Sequence, residues 1–255
     1  MPYTIAIANQ KGGVGKTTTA VHLAEALSRE TGRVLLVDLD VQNNATSIFM
    51  QGEIAPERSV YAVFKDGMPA SELTRPTRND SLDVLPAVVH LAEVESLLAG
   101  AVDGFFRLKD ALESVRDNYE YIVMDCPPNL GVLPVNALVA ATHLVIPLQA
   151  SRFSLDGIQR MQETCDVVRK RYNSSIRTLG ALLTCFDPRT ALAQAMVEQM
   201  DELVHLFSTR ISRSVAVEEA HLMNQTIFEY RPSSKIADEY NAFTKEVRDG
   251  VLQEG

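Results

Sequence analysis

The chain has 255 residues, 46% of them hydrophobic, and carries a net charge of −9 at pH 7. That length and apolar content suffice for one large core, while the acidic balance argues against a general affinity for nucleic acid. The sequence has neither an apolar run of about 18 residues nor a signal-like amino terminus, which predicts a cytoplasmic protein without a membrane anchor. Cys126, Cys165 and Cys185 lie far apart, and the five histidines lack metal-ligand spacing, so we predict buried, reduced cysteines and no zinc site.

A glycine-rich loop lies between a predicted strand and a predicted helix near the amino terminus. The apolar run at residues 5–8 predicts a buried strand, and apolar residues at helical spacing over 20–27 predict a helix. The loop between them reads Gln10, Lys11, Gly12, Gly13, Val14, Gly15, Lys16, Thr17, Thr18. Its glycines let backbone N–H groups turn towards phosphate oxygens, Lys16 can reach the β- and γ-phosphates, and the Thr17 hydroxyl can ligate Mg²⁺.

The loop departs from the pattern G-x-x-x-x-G-K-[ST] because Gln10 replaces the first glycine, and a second lysine, Lys11, follows. In this form it resembles the deviant Walker A loop of the ParA/MinD family of ATPases. The resemblance implies that residues 11–18 bind ATP. It also implies that Lys11 reaches across a homodimer interface to the partner's nucleotide, much as an arginine finger acts in GTPases. The alternative is a glycine-rich loop with a solvated lysine.

The second predicted strand, residues 33–38, ends in two carboxylates, Asp38 and Asp40. An unbroken apolar strand with acids at its carboxyl end indicates a parallel sheet whose ligand site lies at that edge. The family resemblance implies that Asp40 positions the attacking water and that Asp38 belongs to the Mg²⁺ hydration network. The family's proline and glycine in the following loop are Val41 and Asn43 here. The alternative is a pair of helix-capping aspartates.

A third strand, residues 121–125, ends in Asp125 and is followed by a loop with two prolines and a glycine. This is the Walker B arrangement, which holds Mg²⁺ through its water shell, and the loop can sense the γ-phosphate. Alone the match is weak, since apolar strands that end in Asp are common. Its weight comes from its occurrence together with the two lysines of the loop and the two earlier aspartates.

The remaining pattern alternates strands and helices. We predict surface turns with a short helix over 51–80, strands at 82–85, 143–148 and 179–186, and helices at 91–98, 105–118, 155–172 and 236–251. The fold class is therefore α/β, with a single doubly wound, mainly parallel sheet and helices on both faces. The resemblance extends from residue 5 to about residue 247, so residues 1–255 are predicted to form a single P-loop ATPase domain of the deviant Walker A type.

Four basic residues in the carboxyl-terminal half are candidates for DNA contact: Arg189, Arg213, Arg231 and Lys235. The stretch 184–190 resembles the family's Thr-x-x-Asp-x-Arg-Thr element, which places Arg189 on its DNA-binding surface. The alternative for Arg189 is an ion pair with Asp187. A second family arginine is Ala216 here, which predicts weaker DNA binding than the family norm unless Arg231 and Lys235 compensate.

The resemblance favours a Mg²⁺-dependent partition ATPase that hydrolyses ATP to ADP and phosphate, slowly without a partner. It implies an ATP-bound homodimer, non-specific DNA binding, a nucleoid-associated location and stimulation by a ParB-type protein. A MinD-like membrane role is disfavoured because the tail 247–255 carries more acid than base, and iron–sulfur relatives need cysteine ligands that the chain lacks. Two alternatives stay open: a positioning ATPase for a protein cargo, and a nucleotide-gated scaffold with negligible turnover.

Overall fold

A single sheet of eight strands runs through the part of the chain that the computed structural model describes, residues 2–189 and 191–253. The strands are β1 (Tyr3–Ile7), β2 (Val34–Asp38), β3 (Arg75–Pro76), β4 (Leu82–Leu85), β5 (Tyr121–Asp125), β6 (His143–Leu148), β7 (Arg177–Phe186) and β8 (Leu206–Ser212). Their order across the sheet is β3-β4-β2-β5-β1-β6-β7-β8. All neighbours in this order are parallel except β3 and β4. The predicted mainly parallel sheet is confirmed.

Helices cover both faces of the sheet. They are α1 (Lys16–Glu30), α2 (Asn44–Phe49), α3 (Val60–Asp66), α4 (Ala70–Leu73), α5 (Val94–Leu97), α6 (Arg107–Glu113), α7 (Val132–Ala140), α8 (Arg152–Arg171), α9 (Ala191–Asp201), α10 (Val215–Leu222), α11 (Ile227–Tyr230) and α12 (Lys235–Gln253). Short 3₁₀ helices occupy Pro56–Arg58 and Val89–Glu93. The α/β class and the doubly wound arrangement follow directly from this order of elements.

The core consists of two apolar layers, one on each face of the sheet. Along β1, Ile5 and Ile7 belong to the layer that contains α1 and α12, whereas Ala6 belongs to the layer that contains α7 and α8. Successive strand residues point to opposite faces, so a strand covered on both faces must be apolar at every position. This is why the central strands could be recognised as unbroken apolar runs.

The edge of the sheet and the short helices were predicted less well. Strand β8 was not predicted, because only Phe207 and Ile211 of its residues are buried and the positions between them are polar. The predicted helix 91–98 consists of a 3₁₀ turn and one α-helical turn, and the predicted helix 105–118 is helical only over α6. An edge strand and a single turn lack the long periodic pattern on which such predictions depend.

The prediction of three buried cysteines is wrong for one of them. Cys126 and Cys165 are buried, but Cys185 is exposed and has a positive φ of 49°. It lies near the end of β7, where the register with the edge strand β8 shifts between Leu183 and Phe186. That irregularity turns the side chain out of the core, as β-bulges do at sheet edges.

Candidate active site

The predicted catalytic residues meet at the carboxyl edge of three neighbouring strands. Strands β2, β5 and β1 lie side by side in the middle of the sheet, and Asp38 at the end of β2 pairs in register with Asp125 at the end of β5. Asp125 is also in register with Ile7, the last residue of β1, after which the glycine-rich loop begins. The topology therefore places the loop and the aspartates of both strands at one edge, as the sequence predicted.

The glycine-rich loop has a backbone that only glycine adopts easily. Gly13 and Gly15 have φ values of 71° and 82°, and Gly15 forms the amino-terminal cap of α1. The Thr184 hydroxyl donates a hydrogen bond to the Val14 carbonyl at 2.8 Å, and the Gln149 amide donates to the Gly13 carbonyl at 2.9 Å. Carbonyl oxygens of the loop are thus held from outside by the ends of β7 and β6.

The two lysines of the loop have different environments. Lys16 is buried, and its ammonium donates a hydrogen bond to the Lys11 carbonyl at 2.9 Å. Burial lowers the pKa of Lys16, while the nearby Asp125 and Asp40 act in the opposite direction. Lys11 is half-buried, and its ammonium donates to the Ser151 hydroxyl at 3.3 Å. Lys16 therefore faces the carboxylates, whereas Lys11 lies against the start of α8.

The Asp38 carboxylate accepts three hydrogen bonds from groups of the protein. It accepts hydrogen bonds from the Asp40 backbone at 3.0 Å and from the backbone and hydroxyl of Thr46 at 2.8 and 2.7 Å. Burial raises the pKa of Asp38 to about 6, and these three hydrogen bonds act in the opposite direction. Asp40 is also buried, and its carboxylate accepts from the Gln42 backbone at 3.0 Å. Asp38 thus fixes the backbone of Asp40 and ties it to α2.

Asp125 has the opposite character. Both of its carboxylate oxygens are buried, and neither has a hydrogen bond of normal geometry to a residue of 2–189 or 191–253; the Thr17 hydroxyl is close enough to stabilise the charge, and Lys16 lies nearby. Burial raises the pKa of Asp125 well above its usual range; Asp38 adds to the rise, and Thr17 and Lys16 oppose it. A buried carboxylate without a hydrogen-bond partner is costly unless a cation binds it. Together with the Thr17 hydroxyl it fits a hard divalent cation that keeps most of its waters, such as Mg²⁺.

The described part of the chain contains no group of three or more His, Cys, Asp or Glu side chains arranged to hold a metal on their own.

A cavity of about 110 Å³ adjoins the end of the glycine-rich loop, between the start of α1 and the ends of β7 and β8. Gly15 and Thr18 line it on the loop side. Cys185, Arg213 and Tyr240 line it from β7, the segment after β8, and α12. Sequence reasoning missed this cavity because it combines residues that are up to about 220 positions apart, with no motif to connect them.

The four candidate DNA-contact residues are all exposed, and three of them are paired with carboxylates. Arg189 donates to both oxygens of Asp187, at 2.9 and 2.7 Å, which is the ion pair named as its alternative. Arg231 pairs with Glu219 at 3.2 Å, and Lys235 pairs with Glu239 at 3.0 Å. Within the described residues Arg213 has no ion pair. Thr190, which ends the predicted motif, lies outside the described residues, as do residues 254 and 255 of the predicted acidic tail.

Ala216, which replaces the second family arginine, is buried in the same apolar layer as Ile227 and Tyr240. The Arg189 guanidinium lowers the pKa of Asp187 to about 2, so this pair stays charged and neutralised at neutral pH. The structure therefore presents less unbalanced positive charge on this surface than four basic residues imply.

Comparison with known proteins finds a matching family model and relatives of similar sequence over nearly the whole chain. A family model described as an AAA domain matches residues 3–178. The sporulation initiation inhibitor protein Soj of Bacillus subtilis is 40% identical over 245 residues, which cover 95% of this chain and 97% of the relative. The chromosome-partitioning ATPase Soj of Thermus thermophilus is 41% identical over 251 residues, which cover 98% and 96%.

Solved structures agree with the fold. Cobyrinic acid a,c-diamide synthase from Mycobacterium smegmatis, solved with a bound ATP analogue and magnesium, superposes with a TM-score of 0.82 and 30% identity. The match covers 96% of this chain and 93% of that one. Within residues 2–189 and 191–253, no helix is long and apolar enough to cross a membrane.

Proposed function

The chain belongs to the ParA/Soj family of partitioning ATPases, and we propose that it binds ATP with Mg²⁺ at the candidate active site and hydrolyses ATP as a nucleotide-gated homodimer. The observation that carries this proposal is Asp125, a buried carboxylate without a hydrogen-bond partner in the described chain, beside Lys16 and Thr17. We take residues 1–255 as a single ATPase domain. The magnesium-bound relative with an ATP analogue supports the choice of both ligands.

Each residue of the site has a role in this proposal. Lys16 and the backbone N–H groups of residues 12–18 bind phosphate oxygens at the amino terminus of α1. Thr17 would ligate Mg²⁺, Asp125 and Asp38 would hold the ion through its water shell, and the ion would neutralise charge on the phosphates. Asp40 holds the attacking water, and Asp38 fixes the backbone of Asp40. No covalent intermediate is needed, because phosphoryl transfer depends on positioning and electrostatic stabilisation.

Lys11 completes the site of a second copy in this proposal. It is half-buried on the outer side of the loop and lines an open groove with Gln10 and with Asp156, Gly157 and Arg160 of α8. A lysine in that position is accessible to a facing subunit, whereas the buried Lys16 serves its own site. A cation supplied in trans couples hydrolysis to dimerisation and is worth about 10³–10⁵ in rate when it is an arginine finger.

The 110 Å³ cavity beside Gly15 and Thr18 would receive part of the nucleoside. It continues directly from the phosphate-binding loop, and Tyr240 and Ile236 give it apolar walls. Nucleoside pockets are usually concave and largely apolar, with few polar groups.

We further propose that the closed dimer binds DNA without sequence preference through Arg213, Lys235, Arg231 and Arg189, and that a ParB-type protein stimulates hydrolysis. A nucleoid-associated location in the cytoplasm follows from these two interactions. The relatives named for chromosome partitioning support this. Because three of the four residues are paired with carboxylates, each would gain less from a phosphate than a free cation would. We therefore expect weak, strongly salt-dependent binding.

The same ion pairs favour a second candidate, a ParA-like positioning ATPase for a protein cargo. A surface on which Asp187, Glu219 and Glu239 neutralise the basic residues is closer to a mixed-charge protein interface than to a phosphate-binding one. Buried Ala216 in place of a basic residue points the same way.

Binding to a long DNA duplex of arbitrary sequence distinguishes the two candidates. Asp40→Ala is used to slow hydrolysis, with ATP or ADP present, at about 50 mM and about 200 mM salt. DNA partition predicts binding that requires ATP and weakens steeply with salt. If the variant dimerises with ATP but binds no DNA at the lower salt, the protein-cargo candidate replaces DNA partition. ATP turnover of the wild type, unstimulated by DNA or partner, would instead indicate a nucleotide-gated scaffold.

A further inference from the structure

We propose that Ser151 holds Lys11 inside its own subunit and that release of this contact sets how readily the ATP-bound dimer forms. The inference rests on the proposed function, in which Lys11 acts on the partner's nucleotide. It adds a positioning residue that no sequence motif identified. Ser151 lies 140 residues from Lys11 in the chain, and the two side chains meet only because β1 and β6 are neighbours in the sheet.

The contact between Lys11 and Ser151 belongs to a chain of hydrogen bonds in which every donor points the same way. The Ser154 hydroxyl donates to the Gln149 carbonyl at 2.6 Å, so its single proton is used there. The Ser151 hydroxyl, 2.8 Å from Ser154, must therefore donate to Ser154. Its lone pairs are left to accept from the Lys11 ammonium at 3.3 Å. Every proton in this series points the same way, and such chains strengthen each member.

The position of Ser151 in α8 supports a role other than helix capping. Ser151 is the amino-terminal cap residue of α8, but its hydroxyl makes no capping hydrogen bond. A capping serine usually accepts from a backbone N–H two or three residues on. Here the hydroxyl is directed to Lys11 and Ser154 instead. Removing it therefore removes the contact with Lys11 without removing a helix cap.

Gln149, which accepts the hydrogen bond from Ser154, also supports the phosphate-binding loop. Gln149 accepts from Ser154 through its carbonyl and donates to the Gly13 carbonyl through its side chain at 2.9 Å. Ser154 is buried, so this end of the chain of hydrogen bonds is fixed, whereas Ser151 and Lys11 are half-buried. The hydrogen bond between Lys11 and Ser151 is therefore the one in this chain that breaks most easily. In this proposal dimerisation breaks it, because Lys11 leaves Ser151 to reach the nucleotide of the second subunit.

Ser151→Ala tests the proposal, with Ser151→Thr as the matched control that keeps the hydroxyl. Both are made in the Asp40→Ala background, and the dimer dissociation constant is measured with ATP by sedimentation. We expect Ser151→Ala to tighten the dimer about tenfold to a hundredfold, since breaking one net hydrogen bond costs about threefold to tenfold and a dimer has to break two, one in each subunit. Ser151→Thr should match the parent, and the ATP affinity of the monomer should be unchanged in both.

The same substitution in a Lys11→Ala background separates this proposal from the proposed function. If Lys11→Ala weakens the dimer and removes the effect of Ser151→Ala, both hold. If Lys11→Ala weakens the dimer but Ser151→Ala leaves the parent value unchanged, the role of Ser151 is wrong and that of Lys11 stands. If Lys11→Ala dimerises like its Asp40→Ala parent, and if Lys11→Ala alone turns over ATP like the wild type, the action of Lys11 in trans is wrong.

Amine labelling of the monomer tests the contact itself. Acetylation of Lys11 is followed by mass spectrometry with ADP present, relative to the exposed Lys245. Loss of the hydrogen bond should make Lys11 about threefold or more reactive in Ser151→Ala, and not in Ser151→Thr. Equal labelling of Lys11 in all three proteins would overturn the proposal whatever the dimer constants show.

Discussion

The carboxyl edge of β1, β2 and β5 and the surface formed after β7 and β8 use charged residues in opposite ways. At the first, charges are buried and only partly compensated: Asp125 has no hydrogen-bond partner within the described residues, and Lys16 bonds only to a backbone carbonyl there. At the second, exposed charges are paired, as Arg189 with Asp187 shows. Buried groups that lack partners indicate a missing ligand, whereas exposed paired groups have little left to offer one. The ATP site is therefore the better supported of the two.

The largest expected effect is on ATP turnover, and it distinguishes the two regions. Lys16→Ala should lower the turnover of ATP about 10²–10³-fold, because it removes a fixed cation from the phosphates. Arg189→Ala, at the other region, should leave basal turnover within about twofold of the wild type, since that guanidinium is exposed and neutralised. Steady-state release of phosphate without DNA or partner measures both. Equal losses of ATP turnover in the two variants would contradict this difference between the two regions.

The structure joins the two regions through one buried histidine, which predicts a pH dependence. His22 Nδ1 donates to the Thr18 carbonyl at 2.7 Å, and Nε2 accepts from the Ile227 backbone at 3.0 Å. Burial lowers the pKa of His22 to about 3. Unfolding restores a pKa near 6.5, so the unfolded chain takes up a proton as the pH falls below that value.

The free energy of unfolding should therefore fall by about 1.4 kcal/mol per pH unit on account of His22 alone as the pH drops from 6.5 towards 3. His22→Asn should be less stable at pH 7 but should lose stability less steeply between pH 6.5 and 5. His205→Asn, at an exposed position, is the control and should keep the wild-type slope. Urea unfolding at several pH values measures the slopes. Parallel curves for His22→Asn and the wild type would exclude His22 as the source.

A smaller effect ranks the basic residues within the second region. Arg213→Ala should weaken ATP-dependent DNA binding about threefold to tenfold and lower the salt slope by about two for a dimer, since each phosphate contact contributes about 0.9. Arg189→Ala should have less effect, because its guanidinium already binds Asp187. DNA affinity is compared at two or more salt concentrations. A larger loss for Arg189 than for Arg213 would reverse this ranking.

The smallest effect is a gain. Asp187→Asn removes the carboxylate that neutralises Arg189 and should strengthen DNA binding about twofold. The same titration measures it, with Asp166→Asn as a control, because Asp166 pairs with a different arginine, Arg169, near the carboxyl end of α8. Tighter DNA binding in both variants would mean that the loss of a negative charge, and not the release of Arg189, causes the effect.

The sequence predicted where the residues of the first region lie but not how most of the charges of the second are paired, for a physical reason. Asp38 and Asp125 end apolar strands, and Lys16 begins the helix after the loop that follows another. Parallel strands bring their carboxyl ends together whatever the surface contains. Whether Lys235 is free depends on Glu239 and Ser212, and the contact with Ser212 comes from tertiary structure. Edge strand β8, which carries that neighbour, has no unbroken apolar run and was itself not predicted.

The same reasoning explains which supporting residues were missed. Gln149 and Thr184 hold the glycine-rich loop from β6 and β7, and His22 connects α1 to α11. Each acts through side-chain contacts between residues far apart in the chain, and such contacts follow from the packing of the whole sheet. Only Thr184 lay in a stretch that the family resemblance had marked.

The most direct test of the account mixes two inactive variants, Lys11→Ala and Asp40→Ala. In a mixed dimer, the site of the Lys11→Ala subunit keeps its own Asp40 and receives Lys11 from the other subunit. If Lys11 acts in trans, an equimolar mixture should recover turnover that neither variant has, up to about a quarter of the wild-type value when pairing is random, because half of the dimers are then mixed and each has one complete site. A mixture no more active than either variant alone would contradict a dimer in which Lys11 acts across the interface.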